Sequence, residues 1–223
     1  ESAADLPRFK DLRDDETGRA SKQAALAFLG RTYLAAKKFP EAAAAYKQII
    51  DLGDNIIDPD YASIFLPGNE NSKENIFSMQ YMQDKAGNGL LQHALPVKDG
   101  GWCLVNVSAS LFEAYQFKDG TTFSYESPLY NPDNLGENRD PRLDYTIYYN
   151  GSTFKGTVYD CHPDSNSPDK VAGGQTTQTG FMMRKYLDEN YSGDLNVYGG
   201  NVPIIRYSEV LLSYLEAKLE AGE

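Results

Sequence analysis

Apolar residues recur at helical spacing near both ends of the chain and lose that spacing in the long stretch between. From Ser21 to Gly53 the sequence reads SKQAALAFLGRTYLAAKKFPEAAAAYKQIIDLG. Ala25, Leu26, Leu29, Tyr33 and Leu34 mark one face of a first helix, with Ser21 in position to cap it. Pro40 suits the opening of a second helix, with acidic Glu41 in its first turn, and Gly53 suits its end. The last residues, RYSEVLLSYLEAKLEAG, place Val210, Leu211, Tyr214, Leu215 and Leu219 on one helical face, and Gly222 stops the helix. Between these segments Gly, Pro, Asn and Asp interrupt the chain every few residues. Two alternating runs, 75–81 and 143–149, read as strands, and SASLFEAYQF from Ser108 to Phe117 reads as a short helix.

The spacing Leu29-Gly30-x-x-Tyr33, then Ala42, then Tyr46, is that of a tetratricopeptide repeat. Small Gly30 and Ala42 let two helices approach closely, and the rings fill the space beside them. The expected fold is mainly α: a tetratricopeptide-like helix pair and a terminal helix carrying a large loop-rich insertion with short β-strands. Within a single domain over 1–223, the helical hairpin takes 20–53, the loop-rich region 54–202, and the amphipathic helix 203–223. That last helix reads as half of an incomplete pair. Its apolar face must therefore be covered by a neighbouring chain or the insertion, or stay partly exposed.

Composition narrows the function. The 223 residues are 41% hydrophobic, enough for one domain or two small ones. Net charge is −11, from 21 basic and 32 acidic residues, with no Lys/Arg run. Nucleic acid and anionic membranes are poor partners for such a surface. No apolar stretch approaches the roughly 18 residues of a membrane span, and the first residues lack the layout of a signal peptide. Cys103 and Cys161 read by default as unpaired thiols, with a disulfide left open. With two histidines, His93 and His162, and no CxxC, a metal cluster is not expected. Cofactors are expected to be none. The oxygen-rich NPDNLGEN loop (Asn131, Asp133, Asn134, Glu137) and CHPDSNSPDK leave calcium open beside the plainer reading of solvated acidic loops.

Catalytic signatures are missing: there is no G-x-S-x-G, H-E-x-x-H or P-loop. A glycosidase pair among 32 acidic residues is not excluded, but no motif singles one out. A non-enzyme is expected. The sixteen tyrosines are the stronger clue. Aromatic rings stack on the apolar faces of sugars while amides and carboxylates bind the hydroxyls. Trp102, in the glycine-bracketed VKDGGWCLVN, and Tyr81, Tyr125, Tyr130, Tyr159 and Tyr198 beside turn residues are the candidate ligand contacts. Core filling remains the default for any one of them. Arg139, Asp140 and Arg142 in NRDPR read as a structural staple, and Arg206 and Glu209 as ties between the last helix and the insertion.

Several blocks together resemble one family. They are Gly18-Arg19 before the helical pair, NSKENIFSMQY at 71–81, LFEAY at 111–115 with Asp119-Gly120, NRDPRL at 138–143, RKY at 184–186, and VPIIRY at 202–207 followed by EVLL and EA. In this order they resemble the SusD/RagB family of outer-membrane nutrient-binding lipoproteins of Bacteroidetes. The resemblance implies non-catalytic capture of an oligosaccharide, or sometimes a peptide, at the cell surface, and delivery to a SusC-type TonB-dependent transporter. It implies an outer-membrane location through an N-terminal lipid absent from this chain, since Cys103 and Cys161 are internal. Family members are much longer, so an internal fragment is expected. The sequons at Asn106, Asn150 and Asn190 then read as chance matches. The ligand-contacting aromatics of the family lie in variable loops, so none carries over by motif. A tetratricopeptide-type protein-interaction scaffold is the alternative function, with a glycoside hydrolase behind it.

Overall fold

The computed structural model describes residues 5–13, 16–171 and 176–223. In chain order its elements are α1 (Lys22–Ala35), α2 (Phe39–Leu52), β1 (Asn75–Met79), α3 (Leu90–Ala94), α4 (Ala109–Ala114) and α5 (Arg142–Thr146). There follow β2 (Ile147–Tyr148), β3 (Thr153–Phe154), β4 (Thr157–Val158), β5 (Met182–Met183), β6 (Val202–Arg206) and α6 (Tyr207–Glu220). Helix outweighs strand, 32% to 12%, and the strands are short, as expected of a mainly α fold. The chain forms two compact units, one from residues 1–80 and 201–223 and one from 81–200.

The first unit is the helical one. Ser21 Oγ accepts the Ala24 amide at 3.2 Å and starts α1, while Gly53 ends α2 in the left-handed region at φ +67°. Gly30 is needed where the helices meet: a β-carbon there would lie 2.7 Å from the Tyr46 ring. The inward face of α1 is built of small residues, Ala24, Ala27 and Gly30, with Leu26, while Leu29 of the repeat signature is exposed. Close backbone approach fills this interface, so it needs fewer large side chains. Helix α6 supplies the third wall through Val210 and Ala217, joined by half-buried Tyr207 and Tyr214.

Residues 54–80, read from sequence as the start of the loop-rich region, pack within this unit. Strand β1 pairs antiparallel with β6, Asn75 opposite Arg206 and Met79 opposite Val202. Charged clamps tie the unit together. Arg8 grips Asp54 at the end of α2 through Nε (2.9 Å) and Nη2 (2.5 Å), and Gln23 donates to the same carboxylate at 2.6 Å. Glu209 takes a fork of two 2.8 Å bonds from Arg31 of α1, and Arg206 reaches buried Glu74 at 2.9 Å. Arg206 thus ties β6 to the segment before β1, as expected. Glu209 instead ties α6 to α1, because α6 lies against the helical pair. On α6, Leu212, Leu215 and Leu219 are exposed within this chain.

The second unit has two cores on either side of β2 and β5. Strand neighbours point to opposite faces. Ile147 therefore enters a core with Phe112, Phe117, Phe123 and Leu143, while Tyr148 enters another with Leu91, Leu95, Phe154 and Met182. The run 143–149, expected to be a strand, opens instead as helix α5 and turns to strand only at Ile147. Asp140 and Pro141 set this: the Asp140 carboxylate accepts the Arg142 amide at 2.9 Å and its carbonyl accepts the Leu143 amide at 2.9 Å, nucleating a helical turn. The expected helix at 108–117 forms over a shorter span, capped by Ser108. Cys103 and Cys161 are free and buried. Burial pushes both thiols up to about 11.

Candidate functional site

Buried Arg139 organises the phenylalanine core of the second unit. Its guanidinium carbon lies 3.9 Å from the Phe123 ring centre, 4.5 Å from Phe112 and 5.7 Å from Phe117. Nη2 donates to the carbonyls of Phe112 (2.7 Å) and Tyr115 (2.9 Å), which fixes the C-terminal end of α4. Burial pulls its pKa below the usual guanidinium value. Arg142 turns outward and pairs with Asp140 at 2.5 Å. NRDPR is therefore a structural staple, with Arg139 rather than the local ion pair at its centre.

Residues 121–126 run out from this base. The Asp119-Gly120 turn directs them: Asp119 Oδ1 accepts from the Thr121 amide (3.0 Å) and hydroxyl (2.7 Å), with Gly120 at φ +85°. Phe123 is buried in the core, and the chain then turns at Tyr125-Glu126. Tyr125 is 52% exposed, and its ring stands edge-on to Phe123 at 4.8 Å and to Tyr130 at 5.3 Å. Its hydroxyl donates to Glu113 Oε1 of α4 at 3.0 Å. Burial first, and then this bond to Glu113, raises its pKa. Glu113, Phe123, Ser124, Tyr125 and Glu126 line an open depression of about 400 Å³. An exposed ring edged by carboxylates and a hydroxyl can stack on an apolar face while accepting hydrogen bonds from hydroxyl groups.

A second aromatic surface in the same unit centres on Trp102, which is 46% exposed. Its indole meets the His93 ring edge-on at 5.2 Å. Backbone bonds of 2.7 Å from Trp102 to the Gln92 carbonyl and from Leu104 to the His93 carbonyl hold the segment against α3. Buried Cys103 sits between them at φ +50°, a conformation that costs a non-glycine residue about 1–2 kcal/mol. Trp102 and Leu104 both emerge on the surface.

Among the aromatics expected to contact ligand, Tyr125 and Tyr130 are brought together, Trp102 presents a separate surface, and Tyr81 is half-buried. Tyr159 and Tyr198 require correction as candidates. At 0% and 1% exposure both belong to the core shared with Leu91 and Met182, where packing on every side leaves no face for a ligand. Sequence reasoning missed Glu113, Ser124, Glu126 and His93. The available signal for the middle pair was their place on either side of the candidate Tyr125. In the oxygen-rich loop, Asn131 and Glu137 bond to each other at 2.6 Å. Among the described residues no three His, Cys, Asp or Glu side chains gather as a metal site.

The sequence profile of the SusD family matches residues 63–223, and the chain belongs to that family. A SusD-like carbohydrate-binding protein of Bacteroides fragilis is 52% identical with a TM-score of 0.97, the match covering 100% of this chain and 44% of that one. A second SusD-like protein of Bacteroides fragilis is 27% identical with a TM-score of 0.81, covering 99% and 47%. Surface glycan-binding protein A of Bacteroides fluxus, at 22% identity and a TM-score of 0.62 over 96% of this chain and 42% of that one, shares the fold. The chain thus spans less than half the length of these relatives. No protein of curated function matches it.

Proposed function

We propose that this chain belongs to a non-catalytic, surface-exposed protein that binds an oligosaccharide and passes it to a SusC-type TonB-dependent transporter, from a lipid-anchored position at the outer membrane. Family membership and the 52% identical relative, itself a SusD-like carbohydrate-binding protein, support the class of ligand. The observation that carries the reading is the exposed Tyr125 ring, held by Phe123 and Tyr130 beside Glu113 and an open depression. Trp102 is the second contact surface on this reading. Both carboxylates at the depression are exposed to water, an environment unlike the enclosed acid of a glycosidase.

Calorimetry of the purified chain against neutral and acidic polysaccharides, with a reducing-sugar assay alongside, tests the reading. Binding without release of sugar is expected. Tyr125→Ala should weaken binding by roughly tenfold, the worth of one lost stacking contact. Product release would replace the reading by an enzyme, and unchanged affinity in a folded Tyr125→Ala would remove this site. Transfer to the transporter is tested by co-purification with the full-length protein. The exposed leucines of α6 favour a second reading, in which the helical unit binds protein.

A further inference from the structure

The charge around the Tyr125 depression has a sign, and that sign selects among ligands. Two of its five lining residues, Glu113 and Glu126, carry carboxylates, and none of the described lining residues is basic. Glu113 is held at the edge of the ring, because its Oε1 accepts the Tyr125 hydroxyl at 3.0 Å. Glu126 follows directly in the chain, its amide bonded to Ser124 Oγ at 3.1 Å in a local turn that keeps the segment in place. The cation beneath this aromatic layer, Arg139, is 1% exposed, and its Nη2 is taken up by the carbonyls of Phe112 and Tyr115. Its field reaches the surface through the rings, but it offers no donor to a bound molecule. The Tyr125 proton is held more tightly than usual, by burial first and then by Glu113. The chain as a whole adds repulsion for anions at long range, at net charge −11.

Resting on the reading of this depression as a glycan subsite, we propose that it takes neutral sugar residues and rejects those bearing carboxylate or sulfate groups. Neutral hydroxyls donate to Glu113 and Glu126 in charge-assisted bonds while the ring covers an apolar sugar face. A uronate or sulfated residue in the same pose sets a third negative charge beside two, with no accessible base to pair it. The expected penalty at a solvent-exposed site is roughly three- to tenfold in affinity, shrinking as salt screens the charges.

The test is calorimetry of the purified chain against neutral glucans, mannans and xylans, and against pectin, alginate and chondroitin sulfate, at low and high salt. The neutral members are expected to bind. The acidic ones should bind roughly three- to tenfold more weakly or not at all at low salt, with the gap narrowing at high salt and in Glu113→Gln/Glu126→Gln. Both side chains are exposed, so the double variant retains the fold. Equal or tighter binding of an acidic glycan, lost in Tyr125→Ala, overturns the selectivity while leaving the subsite in place. A gap unchanged in the double variant assigns discrimination elsewhere and also overturns it. Binding of nothing in either set overturns the subsite itself, and the selectivity with it.

Discussion

Replacing Arg139 offers the sharpest check on how the loop-rich unit is held together. Two backbone carbonyls, those of Phe112 and Tyr115, rely on its Nη2, and three phenylalanine rings pack around the guanidinium. In Arg139→Met the volume is largely kept but both carbonyls lose their donor, at about 1–3 kcal/mol for each buried unsatisfied group. Part of that loss is offset. Nε and Nη1 make no hydrogen bond, and the desolvation that lowers the Arg139 pKa is relieved when the charge is removed. The net expectation for the methionine variant is about 2 kcal/mol of destabilisation. Arg139→Ala adds a cavity among Phe112, Phe117 and Phe123, worth about 2 kcal/mol more. Arg142→Ala, two positions along in the same motif, removes an exposed pair with Asp140 and should cost about 0.5 kcal/mol or less. Urea unfolding followed by fluorescence is well suited, because Trp102, the single tryptophan, lies in the unit concerned. The expected order is alanine at 139 below methionine at 139, with the 142 variant near wild type. Arg139→Ala falling within 1 kcal/mol of Arg142→Ala would refute the assignment of Arg139 as the organising group, since the estimate separates them by several times that amount.

Two further outcomes concern the helical unit. Gly30→Ala should destabilise by about 1–3 kcal/mol despite the better helix propensity of alanine, because the new methyl meets the Tyr46 ring; a raised thermal midpoint would contradict the packing described. At Asp54, burial favours the protonated form but is outweighed by the bonds from Arg8 and Gln23, so the folded pKa lies below the ordinary carboxylate value. The stabilisation is therefore full above about pH 4 and fades as pH falls through the lower folded value. Asp54→Asn should flatten the acid limb of a stability–pH profile, and an unaltered limb would exclude the clamp as its source.

Much of the architecture was legible from local chemistry. Ser21, Pro40, Gly53 and the Gly30–Ala42–Tyr46 spacing each act within a turn or between adjacent helices, so the pattern and the structure agree. The run 143–149 was misread because its alternation suggests a strand, whereas Asp140-Pro141 starts a helical turn ahead of it. The candidate site was half legible. Turn residues beside a tyrosine locate the ring near the surface in sequence, but Tyr159 and Tyr198 share that signature with Tyr125 and lie in a core.

By itself the sequence determined the helical hairpin, the terminal helix, the family, the acidic surface and the aromatic, loop-rich middle, since each depends on composition or on residues within a few positions of one another. Tertiary structure alone decided that residues 54–80 join the helical unit through the β1–β6 pair, and that Glu209 finds Arg31. It also decided which rings face outward. Tyr125 reaches Glu113 across a turn, and Tyr159 fills space beside Tyr148, through long-range packing that no local pattern encodes. Burial is a property of all the neighbours at once, and those neighbours come from segments far apart in the chain.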